Sequence, residues 1–148
     1  MHMEILRLNE RNLNRFIELI ELFGDVFEMK EFNKPSDLYL KNLLSKKDFL
    51  VFVAISENQV IGGLTAYTLD QYYSERPLAY IYDLAVSKSF QRQGIGTNLI
   101  KSFRDYCSDY GFEEIFVQAD KVDTYALDFY RQTNITGEEQ VVHFTYIL

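Results

Sequence analysis

A chain of 148 residues with 47% hydrophobic and 16% aromatic residues is long enough to bury the core of one domain, and its composition excludes a disordered chain. A formal net charge of -7 disfavours a nucleic-acid binder, which needs a basic face, and suits cationic small molecules or basic peptides. The only cysteine, Cys107, excludes an internal disulfide and fits a reducing cytoplasm.

Met1 and His2 read as a remnant ahead of Met3. Residues 1–10 have no cationic start followed by an apolar run, so no secretory signal is expected, and no later apolar stretch is long enough to span a bilayer. Ile5 to Leu8 reads as a strand. Leu13, Phe16, Ile17, Ile20 and Phe23 then mark an amphipathic helix that Gly24 is expected to end as a left-handed cap. Pro35, Ser36 and Asp37 open a second helix carrying Leu40, Leu43 and Leu44, with Ser36 as its N-cap.

Phe49 to Ile55 and Val60 to Leu69 read as strands joined by residues 56–59, a spacing that predicts an antiparallel hairpin. Gly62 and Gly63 are the expected position of a bulge. A polar loop leads to a third strand of this group, Tyr80 to Val86. From Leu99 the apolar period changes to three and four through Ile100, Phe103, Tyr106, Cys107 and Tyr110, which predicts a helix capped by Gly111. Cys107 falls on its apolar face and reads as a small core residue. Ile115 to Ala119 is a buried strand, residues 125–130 a short helix started by Asp123 or Thr124, and Val141 to Leu148 a last strand with Val142, Phe144, Tyr146 and Leu148 on one face. The order predicts a mixed α/β sheet with helices on both faces, in one domain covering residues 1–148.

Between the Tyr80–Val86 strand and the long helix lies a loop containing Gln91, Arg92, Gln93, Gly94, Ile95, Gly96 and Thr97. Its glycines sit at a helix N-terminus, where free N–H groups and the positive end of the helix dipole face outward. Without a Cβ at Gly94 or Gly96 an anionic group can approach the backbone. Arg92 or Lys88 can add a point charge. The loop lacks the third glycine of a dinucleotide-binding fingerprint and the Gly-Lys-Ser/Thr of a nucleotide-binding P-loop. A phosphate cradle and a turn that only connects strand to helix remain the two readings.

The pattern Gln-x-x-Gly-x-Gly on a strand-loop-helix resembles the pyrophosphate loop of the GNAT acyl-CoA N-acyltransferases. Further stretches are similar to the aminoglycoside 3-N-acetyltransferase branch of that family: Tyr80 to Ser87, Phe116 to Asp120, Glu138 to Phe144, Leu22 to Gly24, Pro35 to Leu40 and Asn42 to Leu44. They span nearly the whole chain in order. The resemblance implies the GNAT fold, a mixed and mostly antiparallel sheet of about six to seven strands. It also implies acetyl-CoA as cofactor, an aminoglycoside amine as acceptor attacking directly, and often a homodimer. Asp123, where many members carry asparagine, and Thr133 to Ile135, in place of a common Gly-Phe, depart from the pattern.

On this resemblance the pyrophosphate falls to Gln91–Thr97, while Leu84, Ala85 and Val86 pair with the pantetheine arm beside a strand bulge near Asp83, Leu84 and Ala85. An ammonium cannot attack a carbonyl, so a base is needed. Asp83, a carboxylate inside an apolar strand, is the candidate against a purely structural carboxylate. Tyr130 matches the tyrosine that protonates the departing thiolate; a core aromatic is the competing reading. A polycationic acceptor calls for carboxylates, with Asp83, Asp120, Glu138 and Glu139 ahead of Asp25, Glu28, Glu31 and Asp123. His143 reads as structural, and two histidines without cysteine partners make no metal site. The competing functions are an acetyltransferase for a polyamine or a protein N-terminus, and a non-catalytic acetyl-CoA-binding module.

Overall fold

The chain begins with a short strand, β1 (Glu4–Arg7), followed by a single 3-10 turn capped by Asn9. Then come α1 (Leu13–Val26) and α2 (Asp37–Ser45). The structure, a computed structural model, describes residues 2–148; Met1, part of the expected remnant, lies outside the described residues. Ser36 caps α2 as expected, its Oγ accepting from the Tyr39 N–H. Gly24 does not end α1: the helix runs two residues past it, because Phe27 stacks on Phe23 at 5.6 Å and its N–H bonds the Phe23 carbonyl, extending the last turn.

β2 (Phe49–Ser56) and β3 (Gln59–Leu69) form the expected hairpin. Glu57 and Asn58 turn it with positive φ angles of 50° and 62°, the backbone hand that matches the twist of the strands. The β3 bulge falls at Ile61, since Ala54 faces Gly62 and Ile55 faces Val60, one residue before the expected glycines. Gly63 has a packing reason of its own. A Cβ there would lie 2.6 Å from Leu19 Cδ1, so the glycine is what lets α1 close on the sheet.

β4 (Leu78–Val86) leads through a 3-10 turn at Lys88–Phe90 into α3 (Ile95–Asp109), and β5 (Glu114–Val117) follows. Gly111, with φ of 76°, provides the expected left-handed exit from α3. The sheet has five strands in the order β1-β2-β3-β4-β5, antiparallel as far as β4 and parallel between β4 and β5. The expected six to seven strands are therefore corrected to five. Residues 141–148 alternate as a strand does but form none, because a strand is made by its hydrogen-bonding neighbour and not by its own pattern.

Side-chain alternation on β2 sends Phe49, Val51 and Val53 to one face, where they pack with Phe16, Leu19, Phe23, Leu40 and Leu44 of α1 and α2. Phe52 points to the other face and meets Phe103 of α3 edge-on at 5.3 Å. Each such burial stabilises by about 1.5–3 kcal/mol, so helices cover both faces as the sequence predicts. Cys107 is buried on α3, and burial pushes its thiol up to about 12, which makes it a packing residue rather than a nucleophile.

The chain divides into two compact units, one running to Gln118 and the other Ala119–Leu148. The second unit holds α4 (Thr124–Arg131), whose N-cap is Asp123, its carboxylate accepting from the Ala126 N–H. No helix among the described residues is long and apolar enough to cross a membrane.

Candidate active site

One extra residue in β4 decides where Asp83 points. Ala66 faces Ile81 and Thr65 faces Asp83, so Tyr82 has no opposite number and forms a bulge. The sequence reading put this bulge near Asp83, Leu84 and Ala85; it lies at Tyr82, where β4 presents an exposed side chain that an extra residue can carry into solvent. Because side chains alternate every residue, the insertion exchanges the faces of all that follows. In an unbulged strand Asp83 would share a face with Ile81, over α3. The bulge moves it to the face of Tyr67 and Tyr80, and sets Leu84 opposite Leu64 over α3 instead.

On that face Asp83 is half-buried, and burial raises its carboxyl above the usual carboxylate range. The Tyr67 phenol is raised too, first by burial and then by Tyr82, Tyr39, Asp83 and Asp48 around it. Tyr67 and Tyr82 meet edge-on at 5.8 Å, and Tyr82 meets Tyr80 at 5.9 Å. Tyr80 in turn stacks on Phe116 of β5 at 4.7 Å. The carboxylate thus lies near the Tyr67 phenol, which itself has Tyr39 of α2 and Tyr82 of β4 around it. Sequence reading missed Tyr39, Tyr67 and Tyr82 as site residues; the only signal was the aromatic run before Asp83, which also suits a buried strand.

The same strand offers a free edge. β4 and β5 pair only from Leu78 with Glu114 to Ile81 with Val117, so the β5-side backbone of residues 82–86 continues past the end of the ladder. Leu84, Ala85 and Val86 stay fixed through β3, where they face Leu64, Gly63 and Gly62. The loop after them is anchored at two points: Gln91 Nε2 donates to the Val86 carbonyl at 3.1 Å, and the Ser87 N–H donates to the Ile61 carbonyl at 2.8 Å. Gln91 therefore shapes the loop with its side chain.

Arg92 and Gly94 take left-handed φ angles of 62° and 81°, folding the loop back before α3. The first bond of the helix ladder joins the Asn98 N–H to the Gly94 carbonyl, so the N–H groups of Ile95, Gly96 and Thr97 precede the ladder and face the loop mouth. Ile95 and Gly96 are buried, while Gln93, Gly94 and Thr97 are exposed. A Cβ on Gly94 would meet nothing within 4 Å, so the space before this N-terminus is open. Open backbone donors with no acidic side chain among residues 87–97 suit a pyrophosphate, and the unpaired β4 edge suits an amide-bearing arm. The residues present therefore fit acetyl-CoA.

Tyr130, Asp120, Glu138 and Glu139 belong to the second unit and Asp25, Glu28 and Glu31 to the first. Tyr130 lies near the end of α4, half-buried beside Phe129 with ring centroids 5.0 Å apart, and its carbonyl accepts from Thr133 Oγ1 at 2.6 Å. Asp120 and Glu139 are exposed. The Glu138 carboxylate is gripped by both arms of the Arg131 guanidinium at 2.9 Å, which lowers its pKa. An ion pair already made is what an acceptor amine would have to displace there. Asp25, Glu28 and Glu31 are exposed around the end of α1.

The Acetyltransferase (GNAT) family model matches residues 16–134. The structure of an aminoglycoside acetyltransferase, meta-AAC0020 from an uncultured soil metagenomic sample, in complex with trehalose, is 60% identical with a TM-score of 0.97, over 99% of this chain and 96% of that one. A structure of meta-AAC0020 in complex with sisomicin is 59% identical with a TM-score of 0.98, over the same shares. Another aminoglycoside acetyltransferase from an uncultured soil metagenomic sample, HMB0005, is 32% identical with a TM-score of 0.93, over 100% of this chain and 99% of that one. Human N-acetyltransferase 8 is 25% identical over 121 residues, 73% of this chain and 53% of that protein, so the chain spans about half the length of this curated relative. With the loop, the bulged strand and the open edge in the places described, and with the family model covering most of its length, the chain belongs to the GNAT acetyltransferase family, whose cofactor is acetyl-CoA.

Proposed function

We propose that the whole chain acts as one aminoglycoside N-acetyltransferase, modifying the 3-N amine of its acceptor. The observation that carries this reading is the Tyr82 bulge, which sets a half-buried carboxylate among phenols beside the unpaired edge of β4. An aminoglycoside is a polycation built of sugar rings, so it asks for a carboxylate to meet an amine and for phenols that both contact a ring and bond its hydroxyls. The 59% identity to an enzyme solved with sisomicin supports the same substrate class.

In this reading the activated acetyl group comes from acetyl-CoA, held by the N–H groups at the start of α3 and by Leu84, Ala85 and Val86. Gln91 holds the loop in shape, and Arg92 and Gln93 flank the pyrophosphate. Asp83 accepts the proton that the attacking nitrogen must lose. Its raised pKa brings a carboxylate closer to the working pH of a general base, although burial also makes the charged form costlier. Tyr130 Oη supplies a proton to the departing sulfur, a role assigned from the resemblance around residues 126–130. Asp120, Glu138 and Glu139 supply further negative charge for the acceptor.

The test is thiol release from acetyl-CoA with sisomicin, gentamicin, spermidine and a peptide bearing a free N-terminus, followed by NMR of the acetylated product. The expected product carries its acetyl group on the 3-N of the aminoglycoside. Transfer to another ring nitrogen would overturn the position while keeping the substrate class; a preference for spermidine or the peptide would overturn the substrate class. Binding of acetyl-CoA without turnover on any acceptor would leave a sensor module.

A further inference from the structure

Two consecutive residues of α1, Glu18 and Leu19, meet β3 in different ways. Leu19 closes on Gly63, where a Cβ would stand 2.6 Å from its Cδ1. Glu18 reaches the strand with a carboxylate: its Oε2 accepts from the Val60 N–H at 3.2 Å. The other oxygen, Oε1, accepts from the Arg15 guanidinium at 3.0 Å. That guanidinium also donates to the Asn58 carbonyl at 2.9 Å and to Asn58 Oδ1. One turn of α1 therefore grips both the β2–β3 turn and the first residues of β3.

The grip falls beside the β3 bulge. Ile55 faces Val60 and Ala54 faces Gly62, so the β2 ladder passes over Ile61, and a backbone that leaves its register there gains from a hold outside that ladder. Ile61 is also what the loop before α3 hangs from. Its carbonyl accepts from the Ser87 N–H at 2.8 Å, and the Ser87 carbonyl accepts in turn from the Phe90 N–H at 2.8 Å. Gln91 bonds back to Val86, which faces Gly62. The path from Glu18 to the root of the loop is thus Val60, Ile61 and Ser87, joined by backbone and two hydrogen bonds.

We propose that Glu18 is a positioning residue for the cofactor: by fixing Val60 it sets the Ile61 carbonyl that seats Ser87, and with it the loop of residues 91–97. This rests on the reading of that loop as the pyrophosphate site. Glu18 acts through the backbone of β3 and not on the cofactor itself. When Val60 is released, a smaller fraction of molecules holds the loop seated, and the apparent Kd rises by the inverse of that fraction. The competing role is an i,i+3 ion pair with Arg15 that steadies α1 alone. Glu18→Gln separates the two, since an amide keeps an oxygen for the Val60 N–H and gives up the charge.

Glu18→Ala introduces the best helix former, so α1 and the fold should persist. Amide hydrogen exchange is expected to quicken at Val60, Ser87 and Phe90 while Leu50 to Val53 of β2 keep their protection. Calorimetry should give an acetyl-CoA Kd raised roughly 5-fold, for a seated fraction reduced to about one fifth. The KM for acetyl-CoA should rise with it and kcat at saturating acetyl-CoA should hold, the pattern of lost uniform binding. Glu18→Gln should restore both the Ser87 protection and the Kd.

Equal losses in the Gln and Ala variants would reduce Glu18 to a partner of Arg15 and overturn the proposal. So would exchange that quickens at Val60 and stops short of Ser87, exchange unchanged at both, or a fall in kcat with KM unmoved. Loosening at Ser87 with unchanged acetyl-CoA affinity would support the hold of Glu18 on the loop and overturn the pyrophosphate reading of residues 91–97.

Discussion

Ile95 Cγ2 lies 3.4 Å from where a Cβ on Gly62 would stand, and the Ala85 carbonyl lies 3.1 Å from the same point. The start of α3 is therefore seated against β3 with room for hydrogen only. Gly62→Val should push Ile95 outward and move the N–H groups that follow it. Overpacking of this kind costs about 1–3 kcal/mol, so the variant should melt earlier and bind acetyl-CoA more weakly by calorimetry. Unchanged affinity in a variant with a lowered Tm would show that the helix start is not the pyrophosphate site.

Gly94 presents the opposite case, with space in front of it and strain in its backbone. At φ of 81° a Cβ meets no neighbour, so Gly94→Ala is disfavoured through its own conformation, by about 1–2 kcal/mol. The strain either destabilises the fold or relaxes the loop. In both cases acetyl-CoA affinity should fall several-fold, and calorimetry beside a thermal melt separates the two.

The glycine loop before α3 was legible in the sequence because spacing, helix period and loop composition all depend on neighbours along the chain. So were all five strands, the hairpin turn and the caps at Ser36 and Gly111. The Tyr82 bulge was not placed to the residue, since an extra residue in one strand is defined only by what stands opposite it on β3. Tyr39 and Tyr67 escaped for the same reason: they come 44 and 16 residues before Asp83 in the chain, by the difference of their numbers, and only the fold brings Tyr67 near Asp83 and Tyr39 near Tyr67. The last strand was overread. Val142, Phe144, Tyr146 and Leu148 carry the alternation of a strand, and nothing in the alternation names its partner.

Asp83 gives a pH test that needs no substrate. Burial holds its folded pKa above the unfolded value, so the folded protein keeps the proton more tightly, and the cost of ionising the group grows as pH rises from the unfolded pKa through the folded one. Asp83→Asn removes that cost. The variant should melt higher than wild type at pH 7, and the gap should close in acid, where the wild-type carboxyl is already protonated. A melting difference that grows toward acid would contradict the buried carboxylate.

The same substitution should lower kcat/KM by on the order of 100-fold, as expected for a general base removed from proton transfer. Part of the loss should be recovered at higher pH, where more acceptor is already an uncharged amine. Rate profiles against pH for both proteins check this, and parallel profiles at equal rate would make Asp83 structural.

Tyr130→Phe keeps the ring that meets Phe129 and removes only the hydroxyl. An acid acts in the transition state, so turnover should drop about 10- to 1000-fold while the Kd for acetyl-CoA holds. Wild-type kcat in this variant would return the residue to a packing role.

On the proposed reading, the early end of the β4 and β5 ladder leaves a missing rung for the cofactor to fill. β5 ends at Val117, and within the sheet residues 82–86 pair with β3 alone. A ligand that binds only the folded form adds stability by mass action, about 2.7 kcal/mol at a hundred times its Kd. On the proposed reading the gain should be concentrated on the open flank of residues 82–86, a stretch whose sheet pairing would be completed only when the cofactor is bound.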